Sequence, residues 1–479
     1  MRKVFLSALG FTLLLASCTT PLKDRNAKIK IKTPENWTAL GDELHQPFSN
    51  GWVKDIADPF LPDLIARSLA HNYNLKAVAA QLEISRANTI ISGADRYPQI
   101  FASVSGSRLK RTGTSGFALI SNQSETVGIT FDINWEIDLW GRLKDRARAS
   151  VADFQASESD YRSARLSLAG RTAKSWFNAV ETELQVRLAK NTLESFEDNL
   201  EIVEERFRKG ITRALDVRLI RTNVASAKSN LQSRLRLRDE EVRRLEVMMG
   251  PYPSYQIVLA SELPIIVQSV PSGLPVELLK RRPDIRAAES RLAAADNRVK
   301  VSKKNKLPVL RLTASGGTST NELTEILNTE FKTWGLFGNL IQPLIQGGRI
   351  AANINRSQAI RAQTLADYEQ IVLKAFREVE STLAAEVYLK EQEAALGDGA
   401  LEALEAERLA WNQYQKGLID IVTVLESQRR AFDSKRQLLQ ISNQRLQNRI
   451  NLYLALGGDF GQLAETVIVG RSNDERHEK

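Results

Sequence analysis

The chain has 479 residues, 66 lysines and arginines against 57 acidic residues, a formal net charge of +9, three histidines and one cysteine. A single cysteine excludes an intramolecular disulfide and a cysteine-based metal cluster. The basic residues are interleaved with acidic ones along helical stretches, so there is no clustered basic face and no nucleic-acid partner is expected. His45, His71 and His477 lack ligand-like spacing, and there is no Walker loop, dinucleotide fingerprint or nucleophile cysteine. Nothing singles out a catalytic carboxylate pair either. The composition gives no support to an enzyme, a bound metal or an organic cofactor.

Residues 1–17 read as an export signal. Arg2-Lys3 is a short positive region, and Val4 to Ala16 is an apolar stretch shorter than the roughly 20 residues of a spanning helix. It ends in Leu15-Ala16-Ser17-Cys18, which looks like a bacterial lipobox. Cleavage there would leave Cys18 first, carrying covalent diacylglycerol and palmitoyl lipid, and the net charge would fall from +9 to +7 (9 − 2) with the loss of Arg2 and Lys3. The alternative is an ordinary secretory signal with a chance cysteine. Thr19 stands where the inner-membrane retention signal of enteric lipoproteins would put aspartate, so sorting to the outer membrane is expected.

Residues 18–57 are polar and punctuated by Pro21, Pro34 and Pro47, and read as a tether. From Asp58-Pro59 a helical run with Leu64, Leu69, Leu75, Ala79 and Leu82 extends to Tyr97, where Pro98 stops it. Between Val127 and Leu139 the period becomes two. Val127, Ile129, Phe131, Ile133, Trp135, Ile137 and Leu139 share one face, and Gly128, Thr130, Asp132, Asn134, Glu136 and Asp138 share the other. These 13 residues exceed the roughly 9–11 of a membrane-crossing strand, although a half-buried strand in a soluble sheet has the same pattern. Ile100 to Lys110 alternates weakly, and Thr112–Ser124 reads as a Gly/Ser/Thr-rich loop. Arg142 to Lys209 contains no proline and predicts a helix about 100 Å long. Its ladder Leu193, Phe196, Leu200, Val203, Phe207 has coiled-coil spacing, as do Val217, Ile220, Val224, Ala227 and Leu231 after a turn at Gly210.

After a linker at 251–270 the pattern returns. A helix from Pro275 to Lys306 stops at Pro308; strands are expected over Val309–Thr318 and Phe331–Ile345, with a loop at Gly316–Asn321. A second long helix covers Arg349–Gln415, with a soft spot at Gly397-Asp398-Gly399, then a turn at Gly417. The ladder Leu365, Tyr368, Val372, Ala375, Val379 repeats the spacing. Asp138 to Leu143 faces Ile345 to Ile350, Phe207 to Ile211 faces Tyr414 to Leu418, and Met249-Gly250 faces Leu456-Gly457, all at an offset of 207. The chain is therefore two repeats, 58–250 and 271–457, each a helix, a β-hairpin, a long helix, a turn and a helix, followed by a tail at 458–479. The class is mainly α with a small β portion. If those strands cross a membrane, four cannot close a barrel, since the smallest have roughly eight, and open edges are costly in lipid. Three chains giving twelve strands, continued by an α-helical barrel, is the simplest closure. A non-conducting lipid-anchored coiled-coil spacer is the rival, against which the amphipathic strands argue.

The residues Gly273-Leu274-Pro275-Val276-Glu277-Leu278-Leu279-Lys280-Arg281-Arg282-Pro283-Asp284-Ile285-Arg286-Ala287-Ala288-Glu289 carry a specific resemblance. With Asp138-Leu139-Trp140-Gly141-Arg142, Pro343 to Arg349, and Tyr414-Gln415-Lys416-Gly417 followed by Val424-Leu425, they resemble the TolC-like outer membrane factors of tripartite efflux and secretion systems, in their OprM- and CusC-like lipoprotein branch. The resemblance runs from Trp52 to about Gly458. It implies a homotrimer with a twelve-stranded barrel and a periplasmic α-barrel. The partners it implies are a periplasmic adaptor and an inner-membrane pump, with a drug- or metal-exporting duct as the function and a protein-secretion duct as the alternative. It implies a constriction at the second turn, with Val422 as an apolar ring, Glu426 as an acidic ring and Thr423 where some relatives carry a second aspartate. It also implies a hydrogen bond between Asp216 and Tyr414 holding the closed state, and contact of the Gly210 and Gly417 turns with the adaptor. On residues alone, Glu426 and Asp216 could equally be solvated helix-face charges.

Overall fold

The computed structural model describes residues 37–40, 52–115, 117–266 and 275–458. Cys18 and the signal segment lie outside the described residues. In chain order the elements are α1 (Leu61–His71), α2 (Tyr73–Ala94), β1 (Gln99–Ser115), β2 (Ala118–Ile137), α3 (Arg142–Arg208), α4 (Ala214–Met249), α5 (Pro275–Arg281), α6 (Pro283–Lys304), β3 (Val309–Thr320), β4 (Lys332–Ile341), α7 (Arg349–Gln415) and α8 (Ile421–Ala455). The helix expected from residue 58 to 97 is broken at Asn72. Asn72 is extended (ψ 122°) and accepts the Leu75 N–H at 3.0 Å as the N-cap of α2. The second repeat breaks at the matching place, where Pro283 forces Arg282 out of the helical region.

The two long helices have 67 residues each, about 100 Å at 1.5 Å per residue. The expected soft spot at Gly397-Asp398-Gly399 does not interrupt α7. The ladder bonds continue on either side, and two glycines cost only about 1 kcal/mol each in a helix interior. Both long helices start from a left-handed glycine, Gly141 (φ 70°) and Gly348 (φ 81°). At the first start the Asp138 carboxylate accepts the N–H groups of Leu143 and Lys144 at 3.1 and 2.8 Å. Trp140 donates its indole N–H to the Pro308 carbonyl at 2.8 Å. The sequence motif at 138–142 is therefore the joint between strand and long helix, turned by glycine and capped by aspartate.

The strands form one antiparallel sheet in the order β1-β2-β3-β4. β2 and β3 join the two repeats. The residues expected to be loops at 112–124 and 316–321 are mostly strand: Thr112 pairs with Ser121, Ser115 with Ala118, and Thr318 with Lys332. Apart from Phe117-Ala118-Leu119-Ile120 the residues there are polar or glycine, so no apolar alternation marks them, yet the main-chain ladder continues. Gly128 and Gly317 are required there, because a Cβ on either would lie 2.5 and 1.9 Å from a carbonyl oxygen of the facing strand.

Cross-strand partners share a face, so the register defines two. Ile100–Ile133–Ala314–Leu336 and Trp135–Leu312–Gly338 belong to one, with Phe131, Gly316 and Trp334. Asp132, Asn134, Arg311, Thr313, Ser315 and Asn339 belong to the other, which Phe101 and Phe337 interrupt on the two edge strands. The apolar face is open: Ile100, Val104, Phe131, Trp334, Leu336 and Leu340 are exposed. Among the described residues no helix is long and apolar enough to cross a membrane.

The largest core lies midway along the helices. Trp176, Phe177, Val180, Leu245, Ile450 and Tyr453 are packed with Trp52, Val53 and Ile56 of the segment before α1. Asp58 accepts the Trp176 indole N–H at 2.8 Å, and the Tyr453 hydroxyl donates to Asp55 at 2.9 Å. Burial and that acceptor push the Tyr453 hydroxyl up to about 12. Trp37 packs edge-on to Phe376, and Glu380 accepts the N–H groups of Thr38 and Ala39 at 2.9 Å. The stretch just before α1 is thus stapled to the bundle.

Candidate functional site

The site expected from the sequence lies at the end of the long helices farthest from the sheet, where α3 turns into α4 and α7 into α8. Both turns have one construction. Gly210 (φ 70°) donates to Phe207 O and Ile211 to Arg206 O, each at 2.9 Å. Gly417 (φ 76°) donates to Tyr414 O and Leu418 to Gln413 O, also at 2.9 Å. This double bond pattern closes a helix with a left-handed residue, which explains glycine at both positions. Asp420 then starts α8, its carboxylate accepting the Thr423 N–H at 3.0 Å and the Thr423 hydroxyl at 2.9 Å. Those bonds hold the Asp420 carboxyl below its ordinary value. Thr423 is thus committed to the cap.

Beneath the turns Val203, Val217, Ile220, Ala410, Tyr414, Ile421 and Val424 form a small core. Because α8 buries Ile421, Val424, Gln428 and Ala431, its other face carries Val422 and Glu426 outward. Val422 is 55 % exposed. Glu426 is half exposed and paired: Arg429 donates to it at 2.9 Å and Arg430 at 2.8 Å. Arg430 first, then Arg429, lowers the Glu426 carboxyl from its ordinary value.

The expected link between Asp216 and Tyr414 is not formed. Asp216 is occupied locally, accepting the Thr212 hydroxyl at 2.6 Å and the Arg213 N–H at 3.3 Å as a capping box for α4. The Tyr414 hydroxyl is buried without a hydrogen-bond partner among the described residues. The turns are joined instead by Arg206, which sequence reasoning missed. Its guanidinium sits 5.2 Å from the centroid of the Tyr414 ring and donates to the Gln415 carbonyl at 3.1 Å. Trp411 stacks on the same ring at 5.6 Å. The only sequence signal for Arg206 is a cation in the last turn of a helix, which is common and unspecific.

Two grooves flank the exposed stripe of α8. One, about 480 Å³, lies toward α4 and is lined by Phe196, Leu219, Asn223, Val422, Leu425 and Phe432. The other lies toward α7 and includes Glu402, Asp420 and Ser427. No group of histidine, cysteine or acidic residues with metal-holding geometry occurs among the described residues. The tip exposes apolar and charged side chains, and among the described residues there it holds no nucleophile and base set against each other.

Comparison with known proteins identifies the family. The family model for outer membrane efflux proteins matches residues 64–251 and 274–458. The chain is 30 % identical over 417 residues to the probable efflux pump outer membrane protein TtgC of Pseudomonas putida, covering 86 % of this chain and 85 % of that one. It is 29 % identical over 469 residues to the outer membrane protein OprJ of Pseudomonas aeruginosa, covering 96 % and 97 %. The open-state MtrE outer membrane channel of Neisseria gonorrhoeae superposes with a TM-score of 0.79 at 26 % identity, over 90 % of this chain and 97 % of that one. The chain belongs to the outer membrane efflux protein family.

Proposed function

We propose that this protein is the outer membrane exit duct of a tripartite efflux system, passing small molecules such as drugs or metal ions outward without chemical change. One observation carries the reading: a four-stranded sheet, apolar on one face and mainly polar on the other, runs directly into two helices of about 100 Å. Among the described residues the outer edges of β1 and β4 are unpaired. An open edge leaves a row of unsatisfied N–H and C=O groups, which lipid cannot tolerate. Three copies placing β4 of one beside β1 of the next would remove all edges, giving twelve strands around a polar lumen. The helices would continue that wall into the periplasm.

The tip would then face a periplasmic adaptor and, through it, an inner-membrane pump. Val422, Thr423 and Glu426 would line the narrowest passage, and the Gly210 and Gly417 turns would meet the adaptor. No cofactor is assigned. Lipid on Cys18 would add an anchor, and the distances allow it. Phe376 lies 27 residues into α7, about 40 Å from the sheet. The 19 residues from Cys18 to the docked Trp37 can span up to about 63 Å. Mass spectrometry of the membrane-extracted protein tests the anchor, since an unmodified thiol at Cys18 would end that part of the reading.

Electron microscopy of the detergent-purified mature protein tests the rest. A hollow three-fold cylinder longer than the helices is expected. A compact monomer or a solid rod would replace the duct with a spacer.

A further inference from the structure

The exposed stripe of α8 carries more cation than a bare acidic ring would. Arg429 reaches the Glu426 carboxylate through Nε at 3.1 Å and Nη2 at 2.9 Å, while Arg430 reaches it through Nε at 2.8 Å. Arg429 also approaches Asp433 at 3.5 Å, and Arg436 approaches the same carboxylate at 3.6 Å. From Glu426 to Arg436 the stripe holds two carboxylates and three guanidinium groups. The groove wall toward α4 contributes Leu219, Asn223, Ser226 and Asn230, none charged. The wall toward α7 contributes Glu402 and Asp420, each carrying a negative charge, with Asp420 held in place as the cap of α8. One arginine would satisfy a single exposed carboxylate, and such pairs on a solvated helix add little stability. A second arginine on Glu426 is therefore surplus to the helix and leaves its charge in the passage.

We infer that Arg429 and Arg430, rather than Glu426, set the ionic preference of the passage at the tip. The inference rests on the duct reading, in which this stripe faces the lumen. A carboxylate ring alone favours cations. A carboxylate held within 3 Å by two guanidinium groups acts at a distance as a net positive centre, because the paired charges cancel and one remains. Three chains would place three such centres at one level.

The test is the reversal potential of the full-length purified protein in planar bilayers under a potassium chloride gradient at low ionic strength. Arg429→Gln together with Arg430→Gln should raise the potassium-to-chloride permeability ratio about threefold or more, since six positive charges leave the ring. Adding Glu426→Gln to that variant should return the ratio toward the wild-type value, and Glu426→Gln alone should shift it toward chloride. Conducting wild-type and doubly substituted proteins with the same reversal potential would overturn the inference. So would a raised ratio that Glu426→Gln fails to reverse, because another carboxylate would then be responsible. A solid rod in micrographs would instead remove the duct reading on which the inference depends.

Discussion

The first repeat's α3 and α4 and the second repeat's α7 and α8 follow the same path, but midway along the long helices, beside the last turns of α4 and α8, they bury different chemistry. Ala179 and Val242 are wholly buried in the first pair. At 207 positions further on, the second pair buries Glu386 and Arg449, joined at 2.6 Å. Asn448 donates to the same carboxylate at 3.2 Å, and Arg445 bridges on to Glu393 at 2.6 Å. Equivalent helix pairs in the two repeats therefore tolerate either a small apolar or a larger ionic filling at this level. An ion pair out of water recovers little net stability beyond its desolvation cost, yet becomes expensive when half removed.

The largest effect should come from breaking that asymmetry on one side only. Arg449→Met leaves Glu386 buried against its remaining donors and should cost about 3–5 kcal/mol, read as a large drop in thermal midpoint. Glu386→Leu with Arg449→Met imitates the apolar first repeat at similar volume and should recover most of the loss. A double variant as unstable as the single one would mean the pair is needed for more than filling. The helix breaks repeat the contrast. Asn72 donates to the Met248 carbonyl at 2.9 Å, and Arg282 to the Ala455 carbonyl at 3.0 Å; the two acceptors are again 207 positions apart. Arg282 also holds Asp284 at 2.7 Å and Glu378 at 2.8 Å. Arg282→Ala should therefore cost about 2–3 kcal/mol against about 1–2 for Asn72→Ala, which loses a cap and one hydrogen bond. Equal costs would mean the two carboxylates near Arg282 contribute nothing.

The glycines sharpen the same comparison by surroundings alone. Gly250 and Gly457 have positive φ, and a Cβ there would lie 2.9 Å from His71 O and 3.1 Å from Arg282 N. Gly210 and Gly417 have similar φ and open space around them. Alanine at either of the first two should cost about 2–3 kcal/mol, and at either turn about 1 kcal/mol. At the tip, Arg206→Ala should raise bilayer conductance more than Asp216→Ala, because Arg206 joins the two turns and Asp216 only caps α4. The opposite order would restore the expected Asp216–Tyr414 link.

What was legible in the sequence followed periodicity and punctuation. Arg349–Gln415 was read to the residue and Arg142–Lys209 to within one, because glycines mark both ends of each and no proline falls between. The 207 offset predicts the backbone as well: Gly141, Gly210 and Gly250 have positive φ, as do Gly348, Gly417 and Gly457. Ahead of the strands the offset is 210, as between α2 and α6, so the hairpins absorb the difference. The tips of β1 and β3 and the start of β2 were not legible, since ladders through Thr112 or Gly317 leave no apolar alternation and Ala118-Leu119-Ile120 is an unbroken apolar run. Nor were the tip contacts. The Asp216–Tyr414 link came from relatives, and Arg206 lies 208 positions from the ring it covers, a proximity created only when both turns fold.

The smallest expected effect concerns proton binding at the stripe. Arg430 and Arg429 hold the Glu426 carboxyl below its ordinary 4.5. A depressed carboxyl keeps its charge, and the pairs persist, at every pH above 4.5; both are lost only as pH falls through the lower folded value. Being exposed, the pairs should barely move the thermal midpoint across that window. Selectivity should report them instead. Lowering the pH of the wild-type protein should shift the reversal potential toward chloride only below 4.5. In the Arg429→Gln, Arg430→Gln variant the carboxyl loses the partners that depressed it, so the shift should occur at a higher pH than in the wild type. Titrations that coincide would mean the guanidinium groups leave Glu426 when three tips meet around a lumen.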